Sequence, residues 1–102
     1  MRNKNFKNNY LKGSAVDIDG IRNNIKNNNY NFTYHATEER LRKNISTNAV
    51  CEIIVKGTIA KTEKDEKTGG KLKKYTVDWK NFRVVIKNDE PPLIISIRVK
   101  NK

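Results

Sequence analysis

One histidine, His35, is the side chain in this sequence whose ordinary pKa lies nearest neutrality. An imidazole can take up and return a proton, which is the work of a general base or general acid. Arg83 and Arg98 carry planar guanidinium groups that suit the oxygens of a phosphate, and Ser96 offers a hydroxyl between them. These residue types suit metal-free RNA cleavage, in which the 2′-hydroxyl of the substrate attacks and the protein supplies a proton carrier and cations.

The sequence lacks the residue clusters that metal sites usually need. A lone cysteine, Cys51, and a lone histidine cannot build a zinc cluster, and Cys51 is interpreted as a packing residue. The clearest acidic clusters are adjacent pairs, which on a helix point about 100° apart and do not share an ion well. We therefore expect no metal and no cofactor. These pairs are Glu38-Glu39, Asp65-Glu66 and Asp89-Glu90.

The charge balance points to a polyanionic partner. Among 102 residues, 22 are Lys or Arg and 11 are Asp or Glu, which gives a formal net charge of +11. We expect RNA as the partner and an acidic inhibitor, an antitoxin or immunity protein, as a second one. The sequence has neither an apolar run long enough for a membrane span nor an apolar signal core. A cytoplasmic site of action is expected, including delivery to a target-cell cytoplasm within a larger toxin.

The first half of the chain is predicted to be mainly helical after a polar start. Residues 1–16 are rich in Asn and Lys and are expected to form a flexible segment. A helix is predicted near 17–27, with Asp17 as its cap. Residues 31–34 are expected to be extended and to lead to His35, with a helix over 36–43 and another that begins at Ser46 and ends at Gly57.

After Gly57 the apolar period changes to two, which predicts strands. They are expected over 58–63, 74–80, 82–87 and 93–100. The predicted fold class is α+β: a single domain over 17–102 whose N-terminal helices pack on one face of a mostly antiparallel sheet of about four strands.

Alternation sorts the strand residues into two faces. The core face is predicted to contain Tyr75, Val77, Trp79, Phe82, Val84, Ile86, Leu93, Ile95, Ile97 and Val99. The opposite, open face is predicted to be solvated and basic, and so to bind a phosphate backbone. It is expected to contain Lys74, Thr76, Asp78, Lys80, Arg83, Val85, Lys87, Ile94, Ser96, Arg98 and Lys100. With Arg40 from the second helix, the predicted RNA-binding residues are Arg40, Lys74, Lys80, Lys87 and Lys100.

The run from Phe32 to Ser46 resembles an uncharacterised bacterial domain family. That family opens with a strand ending in His-Ala, an Arg-rich helix and an Ile-Ser helix start, here His35-Ala36 and Ile45-Ser46. Later motifs follow in order up to Ile94–Val99, so the resemblance covers residues 31–100. It departs at Glu39 and Lys43, where the family has arginines.

This family looks related to RelE-type and BrnT-type toxins and to barnase-like and colicin-like ribonuclease toxin domains. The resemblance implies a RelE-like fold and a metal-independent endoribonuclease that cleaves tRNA or mRNA, with His35, Arg83, Ser96 and Arg98 as catalytic residues. The alternative is a non-catalytic nucleic-acid-binding or protein-interaction module from a phage or mobile element.

Overall fold

The helices begin at side-chain caps. In this computed structural model, which describes residues 17–100, helix α1 spans Ile18–Lys26 and helix α3 spans Thr47–Lys56. Asp17 accepts a hydrogen bond from the Gly20 N–H, and Ser46 accepts one from the Ala49 N–H. These contacts satisfy backbone donors that a helix start leaves free. Both predicted helices are confirmed, whereas the expectation of a flexible segment over 1–16 lies outside the described residues.

Helix α2 spans Tyr34–Arg42 and begins earlier than predicted. The side chain of Thr33 accepts a hydrogen bond from the Ala36 N–H at 3.0 Å, so Thr33 is the cap. The expected extended segment therefore ends sooner. As a result, His35 lies in the first turn of α2 rather than at the end of a strand.

The sheet has five strands: β1 Asn31–Phe32, β2 Thr58–Lys64, β3 Lys73–Trp79, β4 Phe82–Lys87 and β5 Leu93–Val99. Their order across the sheet is β1-β5-β4-β3-β2. The four longer strands pair antiparallel, as predicted. The additional strand, β1, pairs parallel to β5, so the sheet is mixed and the predicted number of strands is wrong. A strand of two residues has no periodic pattern by which a sequence could reveal it.

The helices cover one face of this sheet, which gives the predicted α+β class. Helix α3 lies against β3 and β4, and α1 packs on α3. Ile21, Ile54 and Val77 are completely buried between these layers. Gly57 ends α3 so close to β3 that a Cβ there would lie 2.5 Å from Val77 Cγ1 and 2.8 Å from the Asp78 carbonyl oxygen. This position therefore requires glycine for space as well as for ending the helix.

A bulge in β5 changes which of its side chains reach the core. Val85 pairs with Ser96 but Ile86 pairs with Ile94, so Ile95 is an extra residue in the ladder. Ile94, predicted for the open face, is therefore completely buried, and Leu93 is only partly buried opposite Lys87. The core assignments of Leu93, Ile95 and Val99 were wrong, since Ile95 is partly exposed and Val99 is 45% exposed. Ser96 and Arg98 keep their predicted face.

Candidate acid–base and phosphate-binding site

His35 is exposed and lies beside a buried carboxylate. Its Nε2 atom is 3.4 Å from Oε1 of Glu39, one helical turn further along α2. The His35 side chain is 62% exposed, whereas that of Glu39 is 8% exposed. The imidazole can therefore meet a substrate while a carboxylate that solvent hardly reaches contacts its other side. This arrangement suits proton transfer, because the carboxylate can orient the ring.

Glu39 is held in place by the edge of the sheet. Strand β1 ends at Phe32, so the N–H of Ile97 on β5 has no strand partner on that side. Oε1 of Glu39 accepts a hydrogen bond from this N–H at 2.8 Å. The same carboxylate thus satisfies a buried backbone donor and contacts His35. It connects His35 to the residue that lies between Ser96 and Arg98.

The neighbouring residue Arg40 is engaged on the opposite flank of α2 from His35. Its guanidinium lies 5.6 Å from the centre of the Phe32 ring and donates to the Ile45 carbonyl at 3.2 Å. Both partners belong to the helix-covered side of the molecule. Since successive residues of a helix are about 100° apart, His35 lies about 140° around α2 from Arg40. Arg40 was expected to bind RNA, and its two contacts compete with a phosphate for the guanidinium.

Arg83 and Arg98 are brought together on the open face. They are directly opposite each other in the β4–β5 ladder. Arg83 forms two hydrogen bonds to the carboxylate of Asp78, at 2.7 and 2.8 Å. Arg98 is exposed, and no ion pair within residues 17–100 involves it. Of the two guanidinium groups, Arg98 is thus the one that can bind an anion without losing a partner.

Asp78 partly neutralises the positive charges of Arg83 and Lys100 on the open face. The hydrogen bonds from Arg83, and a weaker contribution from Lys100, hold the pKa of Asp78 below its ordinary value. Lys100 Nζ lies 3.4 Å from Asp78 Oδ2, so the expected phosphate contact of Lys100 must compete with this carboxylate. The pairing follows from the β3–β4 hairpin, in which Asp78 and Arg83 are cross-strand partners. Both residues were predicted on one face, but their ion pair was not predicted. The short hairpin makes them cross-strand neighbours, and that signal could have indicated the pair.

The open face contains a depression of about 520 Å³ that opens beside both arginines. Thr76 and Val85 lie along it between the strands. Positive charge at its rim and partly buried walls make this a place where a phosphate group can sit. The residues around it are Ala60, Lys61, Glu63, Thr76, Arg83, Val85 and Arg98.

Ser96 does not open onto this depression. The residue is 8% exposed, and its Oγ atom is buried and has no hydrogen-bond partner among residues 17–100. Its short side chain lies opposite Val85, on a strand in the interior of the sheet. The expectation that the Ser96 hydroxyl opens onto a cleft shared with His35 is therefore wrong. An unpaired buried hydroxyl costs stability, and nothing in the fold explains why it is there.

Two predicted RNA-binding lysines are engaged elsewhere. Lys87 forms a 2.8 Å ion pair with Asp65, and the two side chains are 15% and 3% exposed. Asp65 comes from the segment after β2, just before the 3-10 helix Glu66–Thr68. Lys80 lies in the β3–β4 turn with its Nζ 4.4 Å from the centre of the Trp79 ring. Lys87 keeps its predicted face, since it pairs with Lys74 in the β3–β4 ladder, but it is nearly buried against a carboxylate and not solvated as expected. Lys80 is exposed, and the Trp79 ring beside it competes with a phosphate for its charge. Lys74 lies on the open face as predicted and is half-buried.

The described residues provide little for other chemistry. Within residues 17–100, no three His, Cys, Asp or Glu side chains come close enough together to hold a metal ion. No helix in this range is long and apolar enough to cross a membrane. Cys51 is partly buried against the core, in keeping with its interpretation as a packing residue. The group shown beside His35 is therefore the Glu39 carboxylate.

Comparison with known proteins found no match, whether among protein-family models, curated proteins or solved structures. The resemblance to ribonuclease toxin domains thus stays a hypothesis based on short motifs. The chain departs from that resemblance at Glu39, where the family has an arginine. In the structure, Glu39 is the carboxylate beside His35. A function for this chain has to be argued from the geometry of its own side chains.

Proposed function

We propose that this chain is a metal-independent endoribonuclease toxin domain that acts through the 2′-hydroxyl of its RNA substrate. The observation that carries the proposal is the exposed His35 ring beside the buried Glu39, which is anchored to the N–H of Ile97, the residue before Arg98 in β5. A protein that only binds RNA needs no titrating group supported in this way. The formal charge of +11 supplies the attraction to the substrate.

The reaction divides the work among three side chains. His35 removes the proton of the 2′-hydroxyl, whose oxygen attacks the adjoining phosphorus. The bond from phosphorus to the 5′-oxygen breaks, and that oxygen takes a proton from solvent. The products are a 2′,3′-cyclic phosphate and a 5′-hydroxyl. Glu39 is a positioning residue that orients His35 and balances the imidazolium charge, and Arg98 binds the non-bridging oxygens as their charge grows.

Arg83 and Ser96 have smaller parts in this scheme than the sequence indicated. Arg83 shares its charge with Asp78, so it strengthens the local positive potential more than it binds an oxygen directly. Ser96 is buried and makes no contact with substrate. The proposed site is therefore His35, Glu39 and Arg98, with Arg83 and Lys100 near Arg98 and Lys74 further along the same basic face. An acidic inhibitor protein would cover this same surface.

A non-catalytic nucleic-acid-binding module is the second candidate. It is favoured by the depression between the arginines, which would bind a phosphate whether or not His35 reacts. The two functions differ in what His35 does. A binding module would lose little when the imidazole is removed, whereas the nuclease would lose its proton carrier.

The test is incubation with total RNA in the presence of a chelator, followed by sequencing of the new fragment ends. The wild-type protein should cut and leave 2′,3′-cyclic phosphates. His35→Ala should be slower by about a hundredfold or more, the usual cost of losing an acid–base group. Glu39→Gln, which keeps an oxygen for the Ile97 N–H, should lower kcat more than it changes KM.

Lys80→Ala is the matched control, since this exposed lysine lies at the Trp79 ring, outside the proposed site. It should cut at nearly the wild-type rate. RNA that is bound but left intact would reject the nuclease and leave the binding module. Cleavage that persists unchanged in His35→Ala would reject His35 as the proton carrier and with it the proposed mechanism.

A further inference from the structure

Tyr34 is the most exposed large hydrophobic residue in the described chain, at 79%. The other aromatic residues within 17–100 pack onto the core, with Tyr75 buried and the rest half-buried against it. These are Tyr30, Phe32, Tyr75, Trp79 and Phe82. Among the aromatic residues of the described range, Tyr34 alone is left largely in water, and it is the residue next to His35.

The backbone beneath Tyr34 is firmly fixed. Thr33 donates from its N–H to the Ile94 carbonyl at 2.9 Å and from its hydroxyl to the Ile95 carbonyl at 3.2 Å. The same hydroxyl oxygen caps α2 at Ala36. Tyr34, the first residue of α2, therefore directly follows a residue that is hydrogen-bonded to β5. An aromatic side chain with only two rotatable bonds on a fixed backbone loses little entropy when it binds a flat partner.

The position of Tyr34 on α2 directs it away from the protein. The buried side of the helix is formed by Ala36 and Glu39, which pack toward β5. Tyr34 lies about 160° and 140° around the helix from these residues, while His35 lies between Tyr34 and Glu39 at about 100° from the tyrosine. A nucleotide whose phosphate is at His35 can therefore place its base over the Tyr34 ring.

Building on the proposed function, we propose that Tyr34 is the stacking surface for an unpaired nucleobase beside the phosphate that is cut. Stacking on an aromatic ring is available to every base but requires that the base be free of a duplex. The substrate is then single-stranded RNA, such as a loop or an unpaired messenger segment. Tyr34 binds the base and His35 acts on the adjoining ribose.

Leu41 provides a matched control on the same helix. It is 63% exposed and lies seven residues after Tyr34, which places it on the same face about 10 Å further along. A protein partner that covered this side of α2 would contact both residues. A stacked base beside His35 would contact only Tyr34.

The probe is a single-stranded oligoribonucleotide with 2′-O-methyl groups, so that it cannot be cut, and with one 2-aminopurine as a fluorescent base. Wild type and Tyr34→Phe should bind it alike and quench its fluorescence. Tyr34→Ala should bind about tenfold to a hundredfold more weakly and lose the quenching, in line with the usual value of one stacked base. Leu41→Ala should behave as wild type, and the same probe in a duplex should bind weakly to all four proteins.

Equal binding and quenching by Tyr34→Ala would overturn the stacking proposal, even if the wild type cleaves RNA. An equal loss in Leu41→Ala would overturn it in favour of a wider contact surface on α2. A loss in Tyr34→Phe would point to the hydroxyl instead of the ring and would also overturn it. If Tyr34→Ala alone fails to bind while the wild type cuts no RNA, the stacking site stands and the proposed cleavage falls.

Discussion

The two ends of the open sheet face use their positive charges in opposite ways. Near α2, Arg98 is exposed and has no ion pair within residues 17–100. At the other end, Lys87 is almost buried against Asp65. Both cations follow the same alternating pattern in the sequence, so they look equally available to a phosphate. The difference comes from one acid, delivered by a turn more than twenty residues before Lys87 along the chain.

At the Arg98 end, Asp78 holds Arg83 at 2.7 Å and contacts Lys100 at 3.4 Å. The open face therefore contains a free guanidinium, cations shared with one acid, and a closed ion pair at its other end. A basic face can only bind an anion with charges that its own acids have left free. Replacing a cation at one end should change function, and at the other end it should change stability.

The largest expected effect is on cleavage at the Arg98 end. Arg98→Ala should slow RNA cleavage by about a hundredfold, because it removes a cation that stabilises the growing phosphate charge. Lys87→Met removes the same formal charge from the other end and should slow cleavage little, provided that the variant is assayed below its unfolding temperature. Single-turnover rates on one RNA measure both. Equal losses would show that only total charge matters.

A moderate effect is expected on stability at the Lys87 end. Lys87→Met leaves Asp65 buried without its partner, so the thermal midpoint at neutral pH should fall by several degrees. Lys61→Met is the control, since the Lys61–Glu63 pair is exposed and 3.7 Å long and should contribute little. The hydrogen bond from Lys87 holds the pKa of Asp65 below its ordinary value of 3.8.

The pH dependence of this effect has a definite sign. Because the folded pKa of Asp65 is lowered, the pair stabilises the fold fully above about pH 4, and this contribution is lost as the pH falls through the folded pKa. The difference between wild type and Lys87→Met should therefore be largest near neutrality and shrink in acid. Thermal melts between pH 7 and pH 2 measure it, and a difference that grows in acid would contradict the role of the pair.

The smallest effect is expected in the salt dependence of RNA binding. Each neutralised phosphate of a single strand contributes about 0.7 to the slope of log affinity against log salt concentration. Arg98→Ala should lower the slope by about this amount, and Lys87→Met should leave it unchanged. Titrations of an uncleavable oligonucleotide at several salt concentrations give both slopes. A lower slope for Lys87→Met would mean that its ion pair opens to bind RNA.

Local patterns were sufficient to predict much of the scaffold. The caps at Asp17 and Ser46 predicted the starts of α1 and α3 because a cap acts within a single turn of chain. The β3–β4 hairpin was assigned to the correct faces because its partners are adjacent in sequence. The exposure of single side chains was harder to predict. His35 and Arg98 are exposed, whereas the Ser96 hydroxyl is buried. Arg40, Lys80 and Lys87 each contact an aromatic ring or a carboxylate.

The sequence by itself therefore determined the α+β class, the basic character of the chain and the residue types near the proposed site. Tertiary structure alone decided the β1–β5 pairing, the bulge at Ile95, the Glu39 contact with Ile97 and the burial of Lys87 against Asp65. The physical reason is distance along the chain. A cap or an alternating strand is specified by neighbouring residues. An ion pair or a hydrogen bond at the sheet edge depends instead on segments that are far apart in sequence and meet only when the tertiary structure forms.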